Sequence, residues 1–166
     1  MKTGVFASAA IGLIFSAGLL APLPAASAEY ATILLERVVN ATPAQTWAKV
    51  GPYCAIAQWL KVTCLVTAGN GSAVGSNRLL NGNNNELIVA MTPYSYTYTQ
   101  PSSAILYHGT LAAEPMERGA KTKLVYTLIY DQAPLGTVEA KAANREQRSK
   151  RFNEALDNMK AMAEAQ

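Results

Sequence analysis

The feature that most constrains the fold is a change of hydrophobic period after Gly136. Before it, short apolar segments alternate with Gly, Asn and Pro turns, a pattern that predicts antiparallel strands joined by hairpins. After it, one helical stripe continues to the end of the chain, formed by Val138, Ala142, Arg145, Ser149, Phe152, Leu156, Met159 and Ala163. A long antiparallel sheet must bury one face, so we expect it to curl around this helix.

The coarse pattern predicts an α+β fold with seven strands and three helices. The strands are expected at 30–39, 62–67, 73–80, 86–91, 94–99, 105–113 and 122–130. Two short helices, "AQTWAKV" and "YCAIAQWL", follow the first strand. Thr42 is the expected N-cap of the first, with Pro43 at its first helical position.

The N-terminus has the pattern of a secretory signal. Lys2 precedes an apolar run over 5–20, and the small residues Ala-Ser-Ala end at Ala28, where we predict cleavage. An uncleaved membrane anchor is the alternative, but the run is short for a span and two prolines follow it. We therefore expect a periplasmic or secreted protein whose mature part is a single domain over 29–166 without a membrane span.

The charge balance gives no sign of a nucleic-acid partner. The chain has 14 Lys and Arg against 11 Asp and Glu, and no basic run with interleaved aromatic residues occurs in the sequence. The single charged cluster, around Arg148, lies within the predicted last helix together with glutamates.

The two cysteines, Cys54 and Cys64, both lie in the part predicted to be exported. In an oxidising compartment a single pair predicts one disulfide. Two buried thiols or a metal site are the alternatives, although the histidines that would complete a metal site are missing from the sequence around them. No metal or cofactor is predicted.

Four stretches of the chain resemble a known superfamily. "VNATPAQTWAKVGPYCAIAQWL", "GSAVGSNRLL", "ELIVAMTPYSYTY" and "LYHGTLAAEP", followed by a terminal helix, are similar to the SRPBCC superfamily over residues 30–163. This superfamily includes START domains, the birch-pollen-allergen fold and bacterial polyketide cyclase/dehydrase-like proteins. The resemblance implies a helix-grip fold, in which a seven-stranded sheet and the long helix enclose a hydrophobic cavity open at one end.

Residues on the strands and the last helix are candidates for lining this cavity. Tyr107, Tyr126 and Tyr130 each combine an apolar ring with one hydroxyl, which suits a pocket for a mostly carbon ligand. Arg145 and Ser149 interrupt the apolar stripe of the last helix, so Arg145 points either into the cavity, towards a ligand carboxylate or phosphate, or into solvent. Tyr94, Tyr96 and Tyr98 alternate along one strand and should share a face.

A polar hairpin is expected beside the cavity mouth. Asn and Gly tolerate positive φ, so the segment predicts a tight turn, and the resemblance places it at an exposed, mobile rim. The predicted rim consists of Asn81, Gly82, Asn83, Asn84 and Asn85. Arg78 and Glu86 lie on its two arms, where we expect a cross-strand ion pair on an exposed face.

The sequence favours binding over catalysis. His108, the only histidine in the sequence, should point away from Tyr107 and towards the outside, and no nucleophile–base pair is recognisable. Tyrosines with a pKa near 10 are poor bases at neutral pH. The plant hormone receptors of this superfamily carry a ligand-binding lysine directly after the aromatic residue that corresponds to Trp59. This chain has Leu60 there, so an acidic, hormone-like ligand is not expected.

Three functions are compatible with these features. The first is an exported protein that binds a small apolar or amphipathic molecule. The second is a polyketide cyclase/dehydratase-like enzyme, and the third is a periplasmic accessory protein that contacts a protein partner through its surface, as in methanol oxidation.

Overall fold

Seven antiparallel strands form one sheet in the computed structural model, which describes residues 27–165. The strands are β1 (Tyr30–Val39), β2 (Cys64–Ala68), β3 (Asn77–Leu80), β4 (Asn84–Thr92), β5 (Ser95–Thr99), β6 (His108–Met116) and β7 (Lys121–Asp131). Their order in the sheet is β1-β7-β6-β5-β4-β3-β2. Strands 2 to 7 therefore form a continuous meander, and β1 closes onto β7.

Three helices and two short 3-10 turns complete the domain. They are α1 (Pro43–Val50), α2 (Ile56–Trp59) and α3 (Val138–Glu164), with the turns at Glu117–Gly119 and Ala133–Leu135. Thr42 caps α1 as predicted: its Oγ1 accepts from the Gln45 amide (3.3 Å), while Gln45 Oε1 accepts from the Thr42 amide (3.1 Å). Thr137 caps α3 with a single hydrogen bond, which its Oγ1 accepts from the Ala140 amide.

The last helix packs on the sheet through its second half. α3 contacts β1 and both short helices. Its buried residues are Phe152, Ala155, Leu156, Met159 and Ala163, whereas Val138 at its start is 75% exposed. The predicted apolar stripe is therefore confirmed from Phe152 onward, and the first turns extend beyond the core.

The α+β helix-grip fold predicted from the sequence is confirmed, with corrections at strand ends. The third strand begins at Asn77 rather than at 73, and the sixth at His108 rather than at 105. Leu106 has φ +47, a left-handed conformation that interrupts an extended strand. Tyr94 lies in a turn and is 40% exposed, so it does not share the buried face of Tyr96 and Tyr98.

The predicted disulfide is present. Cys54 and Cys64 are bonded, with their Cα atoms 5.5 Å apart, and tie the turn before α2 to the first residue of β2. The predicted signal peptide lies outside the described residues, apart from Ser27 and Ala28. Over 27–165, no helix is long and apolar enough to cross a bilayer.

Candidate functional site

A cavity of about 110 Å³ lies at one end of the sheet, beside α2, the β3–β4 hairpin and the middle of α3. One part of its wall is apolar and comprises Ile56, Leu60, Val62, Leu80 and Phe152. The other part is polar and comprises Asn81, Asn84, Glu86, Gln100 and Arg151, with Tyr98 and Tyr107 completing the lining. The cavity is therefore amphipathic rather than uniformly hydrophobic.

A buried ion pair lies behind the polar wall. Arg78 and Glu86 are directly opposite each other in the β3–β4 register, as predicted, because the hairpin loop contains three residues. The prediction of an exposed face is wrong, since Arg78 is 0% and Glu86 is 2% exposed. Arg78 Nε and Nη2 both donate to Glu86 Oε2, at 2.8 and 2.6 Å, and Nη1 donates to the Tyr53 carbonyl.

Aromatic rings surround the Arg78 guanidinium. Its central carbon lies 4.0 Å from the ring centre of Tyr53, 5.2 Å from that of Tyr98 and 5.7 Å from that of Tyr96. Burial by itself would lower the pKa of Arg78, but Tyr96, Glu86 and Tyr53 beside it hold that pKa above its ordinary value. The guanidinium is therefore a permanent buried charge.

Glu86 keeps hydrogen-bonding capacity towards the cavity. Its Oε2 accepts twice from Arg78, and its Oε1 accepts once, from Gln100 Nε2 at 2.9 Å. A carboxylate offers about four acceptor positions. Within the described residues, the side chain of Glu86 thus has three donors, and one acceptor position on Oε1 has none.

The tyrosine hydroxyls at the site are neutral hydrogen-bonding groups. Tyr98 and Tyr126 share a hydrogen bond of 2.9 Å between their hydroxyls. Burial raises the pKa of Tyr98, Tyr107 and Tyr126 above the ordinary value of tyrosine. At neutral pH these hydroxyls stay protonated. They are therefore even poorer bases than a tyrosine with the ordinary pKa near 10.

The three predicted tyrosines are all buried, but they differ in their relation to the cavity. Tyr107 contributes to its lining. Tyr126 packs against Phe152, with ring centres 4.7 Å apart, and forms part of the core. The Tyr130 hydroxyl has no hydrogen-bond partner in the described part of the chain, and its ring lies 4.9 Å from the Arg148 guanidinium.

Of the two positions that the sequence allowed for Arg145, the cavity or the solvent, the structure has the solvent-exposed one. Arg145 is exposed, and its Nη2 donates to the carbonyl of Thr32 in β1 at 2.9 Å. Ser149 is half-buried, and its carbonyl accepts from Asn153. Arg148 is half-buried, with its guanidinium 5.0 Å from the Tyr107 ring centre, and Arg151, although exposed, contributes to the cavity lining.

Two members of the asparagine hairpin line the cavity. Asn81 and Asn84 belong to its wall, and Asn83 follows Gly82 at the tip. Asn81 has φ +51 and Gly82 has φ +75, the left-handed region that the turn chemistry predicted. Asn81 Oδ1 also accepts from the Thr63 amide at 3.0 Å, which links the hairpin to the segment before β2. The role of Asn81 to Asn85 as a mobile rim stays a prediction.

His108 follows the alternation expected from the sequence. His108 and Thr110 are half-buried, whereas Tyr107, Gly109 and Leu111 are buried on the inner face. Over residues 27–165, no group of three His, Cys, Asp and Glu side chains could hold a metal ion.

Sequence reasoning missed Glu86, Gln100 and Arg151 as cavity residues. A signal existed for Gln100, because it lies two residues after Tyr98 and four after Tyr96, both of which were placed on one face. The inward direction of Arg78 could not be predicted from alternation. Leu79 and Leu80 are adjacent, and either of them could mark the inner face of the strand.

Comparisons with known proteins agree with this architecture. Residues 31–164 match the family described as polyketide cyclase / dehydrase and lipid transport. Among curated proteins, none matches the sequence.

Similar structures include a protein from Nitrosospira multiformis, with a TM-score of 0.65 and 21% identity over 79% of this chain and 94% of that one. The di-domain ARO/CYC protein BexL from the BE-7585A biosynthetic pathway has a TM-score of 0.62 and 18% identity, over 82% of this chain and 51% of its own. Ara h 8.0201 has a TM-score of 0.57 and 13% identity, over 81% of this chain and 98% of its own. At these identities the likeness is one of fold.

Because the family match covers nearly all of the described domain, the chain belongs to the family of polyketide cyclase / dehydrase and lipid-transport proteins, within the SRPBCC superfamily.

Proposed function

We propose that this protein is an exported binding protein for a small amphipathic molecule held in the cavity between α3 and the sheet. The observation that carries the proposal is the arrangement of the cavity wall, where an apolar side formed by residues such as Leu80 and Phe152 faces a polar side with the Glu86 carboxylate. Such convergence of apolar walls and a few placed polar groups is typical of ligand sites.

The size of the cavity limits the ligand. About 110 Å³ is small beside the roughly 300–1,000 Å³ of drug-sized pockets. The cavity suits a single ring or a short chain, or one end of a longer molecule that extends past the hairpin.

The polar wall indicates the head group. The available position on Glu86 Oε1 accepts a hydrogen bond, and the buried Arg78 on its other side keeps the carboxylate oriented. A hydroxyl or amine on the ligand would complete the fourth acceptor position. We therefore propose a ligand with an apolar body and a hydrogen-bond donor, such as a small phenol or alcohol.

Export is the second part of the proposal. It is supported by the signal-like N-terminus and by the Cys54–Cys64 disulfide, since disulfides persist mainly in oxidising compartments.

Solvent extraction of the purified exported protein followed by mass spectrometry tests the binding function, together with titration of p-cresol as a defined probe. We expect a co-purifying small molecule or saturable p-cresol binding. Val62→Phe fills the cavity from its apolar wall and should abolish both. The matched control is Val38→Phe, on a β1 residue that is 42% exposed and absent from the cavity wall. An empty extract together with no p-cresol binding would contradict the proposal, as would equal binding by both variants.

A further inference from the structure

Asp131, at the end of β7, is a largely buried acidic residue that has no cationic side chain paired with it in the described part of the chain. It is 8% exposed and is paired in register with Tyr30, the first residue of β1. Its Oδ1 accepts from the Glu29 amide at 2.8 Å and from the Ala133 amide at 2.9 Å. Among the ion pairs of residues 27–165, none includes Asp131.

A largely buried carboxylate is stabilised by a nearby positive charge. Two neutral amides satisfy hydrogen bonds of Asp131 but do not compensate its charge. One of those two donors, the Glu29 nitrogen, belongs to the residue that directly follows the signal-like Ala-Ser-Ala.

We propose that Asp131 is the receptor for the α-ammonium group of Glu29, which cleavage after Ala28 creates. Hydrolysis of the Ala28–Glu29 peptide bond by a signal peptidase takes up one water, leaves the Ala28 carboxylate on the leader, and gives Glu29 a protonated amine. The donor that already lies 2.8 Å from Asp131 Oδ1 then carries a positive charge. The neutral hydrogen bond becomes a partly buried ion pair, which is the stronger interaction.

Neighbouring groups fix Glu29 in the position that this ion pair needs. Its carbonyl accepts from the Gln132 amide at 2.9 Å. Its own carboxylate accepts two hydrogen bonds, one from Lys141 Nζ on α3 at 2.5 Å and one from Gln132 Nε2 at 2.9 Å. The charged groups around the new amine are therefore Asp131 of β7, the carboxylate of Glu29 itself, which directly precedes β1, and Lys141 of α3, which pairs with that carboxylate.

The ion pair depends on the exact residue after which the chain is cleaved. Ser27, Ala28 and Glu29 are exposed along the chain, so a terminus at Ser27 or Ala28 would place the ammonium in solvent and leave an amide at Asp131. Cleavage after Ala28 alone brings the charge to the carboxylate.

This inference rests on the export part of the proposed function and is independent of the ligand. Its first test is the intact mass of the protein recovered after export, for which we expect a chain beginning at Glu29. A chain that begins at any other residue would overturn it, whereas loss of ligand binding would leave it unchanged.

The second test compares two chains made by cutting a fusion protein, one beginning at Glu29 and the other at Ser27. Both carry one α-ammonium, but only the first can place it on Asp131. We expect the Glu29 chain to unfold at a temperature higher by a few degrees near pH 7. The pKa of its α-amino group should rise above the ordinary value of about 8, so the advantage is full below that pH and disappears as the pH rises through the raised pKa.

Two substitutions complete the design. Asp131→Asn keeps an acceptor oxygen for the amides and removes the charge, so it should abolish the difference between the two chains. Lys141→Met is the matched control, because it removes the partner of the Glu29 side chain and should leave the difference in place. Equal unfolding temperatures of the two unsubstituted chains, or a difference that persists in Asp131→Asn, would overturn the ion pair.

Discussion

At the scale of single residues, burial decides what the Arg78–Glu86 pair contributes. The two charges are directly opposite each other on neighbouring strands, which on a solvated face would stabilise by a few tenths of a kcal/mol, at most about 1 kcal/mol. Here both are almost fully buried and Arg78 has lost its water. The important quantity is therefore the cost of leaving one charge without the other.

Glu86→Gln should lower the free energy of unfolding by about 3–5 kcal/mol, because it leaves the Arg78 guanidinium buried without a counter-charge. Denaturant unfolding measures the change. The control is the double substitution Arg78→Met with Glu86→Leu, which removes both charges and should recover most of the loss. A loss below about 1 kcal/mol for Glu86→Gln would mean that water reaches the pair.

Gly109 is required by its neighbour across the sheet. It pairs with Tyr98 in the β5–β6 register, and a Cβ atom at Gly109 would lie 2.4 Å from the Cζ and hydroxyl oxygen of Tyr98. Gly109→Ala should therefore displace that ring, break the Tyr98–Tyr126 hydrogen bond and destabilise the fold by about 1–3 kcal/mol.

A double-mutant cycle separates this steric conflict from a general effect of the substitution. Tyr98→Leu removes the two ring carbons and the hydroxyl oxygen that a Cβ at Gly109 would meet. In that background Gly109→Ala should cost much less in thermal or denaturant unfolding. Strict additivity of the two substitutions would show that the close approach is unimportant.

At the scale of elements, local sequence signals predicted the order of helices, strands and turns well, and the directions of their side chains less well. Thr42 and Pro43 identified the start of α1 because the preferences for an N-cap residue and for proline at the first helical position are local. Asn81 and Gly82 identified the β3–β4 turn because few residues accept positive φ. Both signals are local, so tertiary packing did not override them.

The directions of side chains were harder to predict where two nearby residues were of the same type. A helical stripe read over many turns drifts relative to a fixed repeat, so the stripe that includes Phe152 did not distinguish Arg145 from Arg148. The structure places Arg148 over the rings of Tyr107 and Tyr130 and Arg145 against the Thr32 carbonyl. The choice depends on how α3 lies across the sheet, which no local signal encodes.

The asparagine hairpin should respond to occupancy of the cavity. Asn81 and Asn84 belong to the wall, and Asn81 also holds the Thr63 amide, so a molecule in the cavity should restrict all three. We expect slower amide hydrogen exchange over 81–85 at saturating p-cresol. The turn at Glu117–Gly119, which is absent from the cavity wall, is the internal control. Unchanged exchange over 81–85 with p-cresol bound would reduce the segment to a simple turn.

At the scale of the whole molecule, buried tyrosines connect the cavity to the stability of the fold. Tyr96, Tyr98, Tyr107 and Tyr126 are at most 2% exposed and belong to the same core as Trp59 and Leu156. Their rings make two series of edge and tilted contacts, one from Trp47 through Tyr96 and Tyr98 to Tyr107 and the other from Trp59 through Tyr126 to Phe152. The hydrogen bond between the Tyr98 and Tyr126 hydroxyls joins the two. The polar cavity wall is therefore built on an aromatic core rather than inserted into an aliphatic one.

This core should make the protein unfold in alkali. Burial raises the pKa of five tyrosines in the folded state, namely Tyr53, Tyr96, Tyr98, Tyr107 and Tyr126. In the unfolded chain each titrates near 10. A raised folded-state pKa gives stability that is full below the unfolded value and is lost as the pH rises through the folded one, so stability should fall steeply above about pH 10.

Circular dichroism and tyrosinate absorbance, recorded together against pH, test this coupling. We expect the buried tyrosines to ionise in one cooperative step that coincides with loss of the fold, since a buried phenolate costs more free energy than unfolding. Tyr98→Phe with Tyr126→Phe removes two of the five linked groups and should move the midpoint of that step to higher pH and make it less steep. Ionisation of the same groups well before the fold is lost would show that water reaches the core through the cavity, and would argue against a closed binding site.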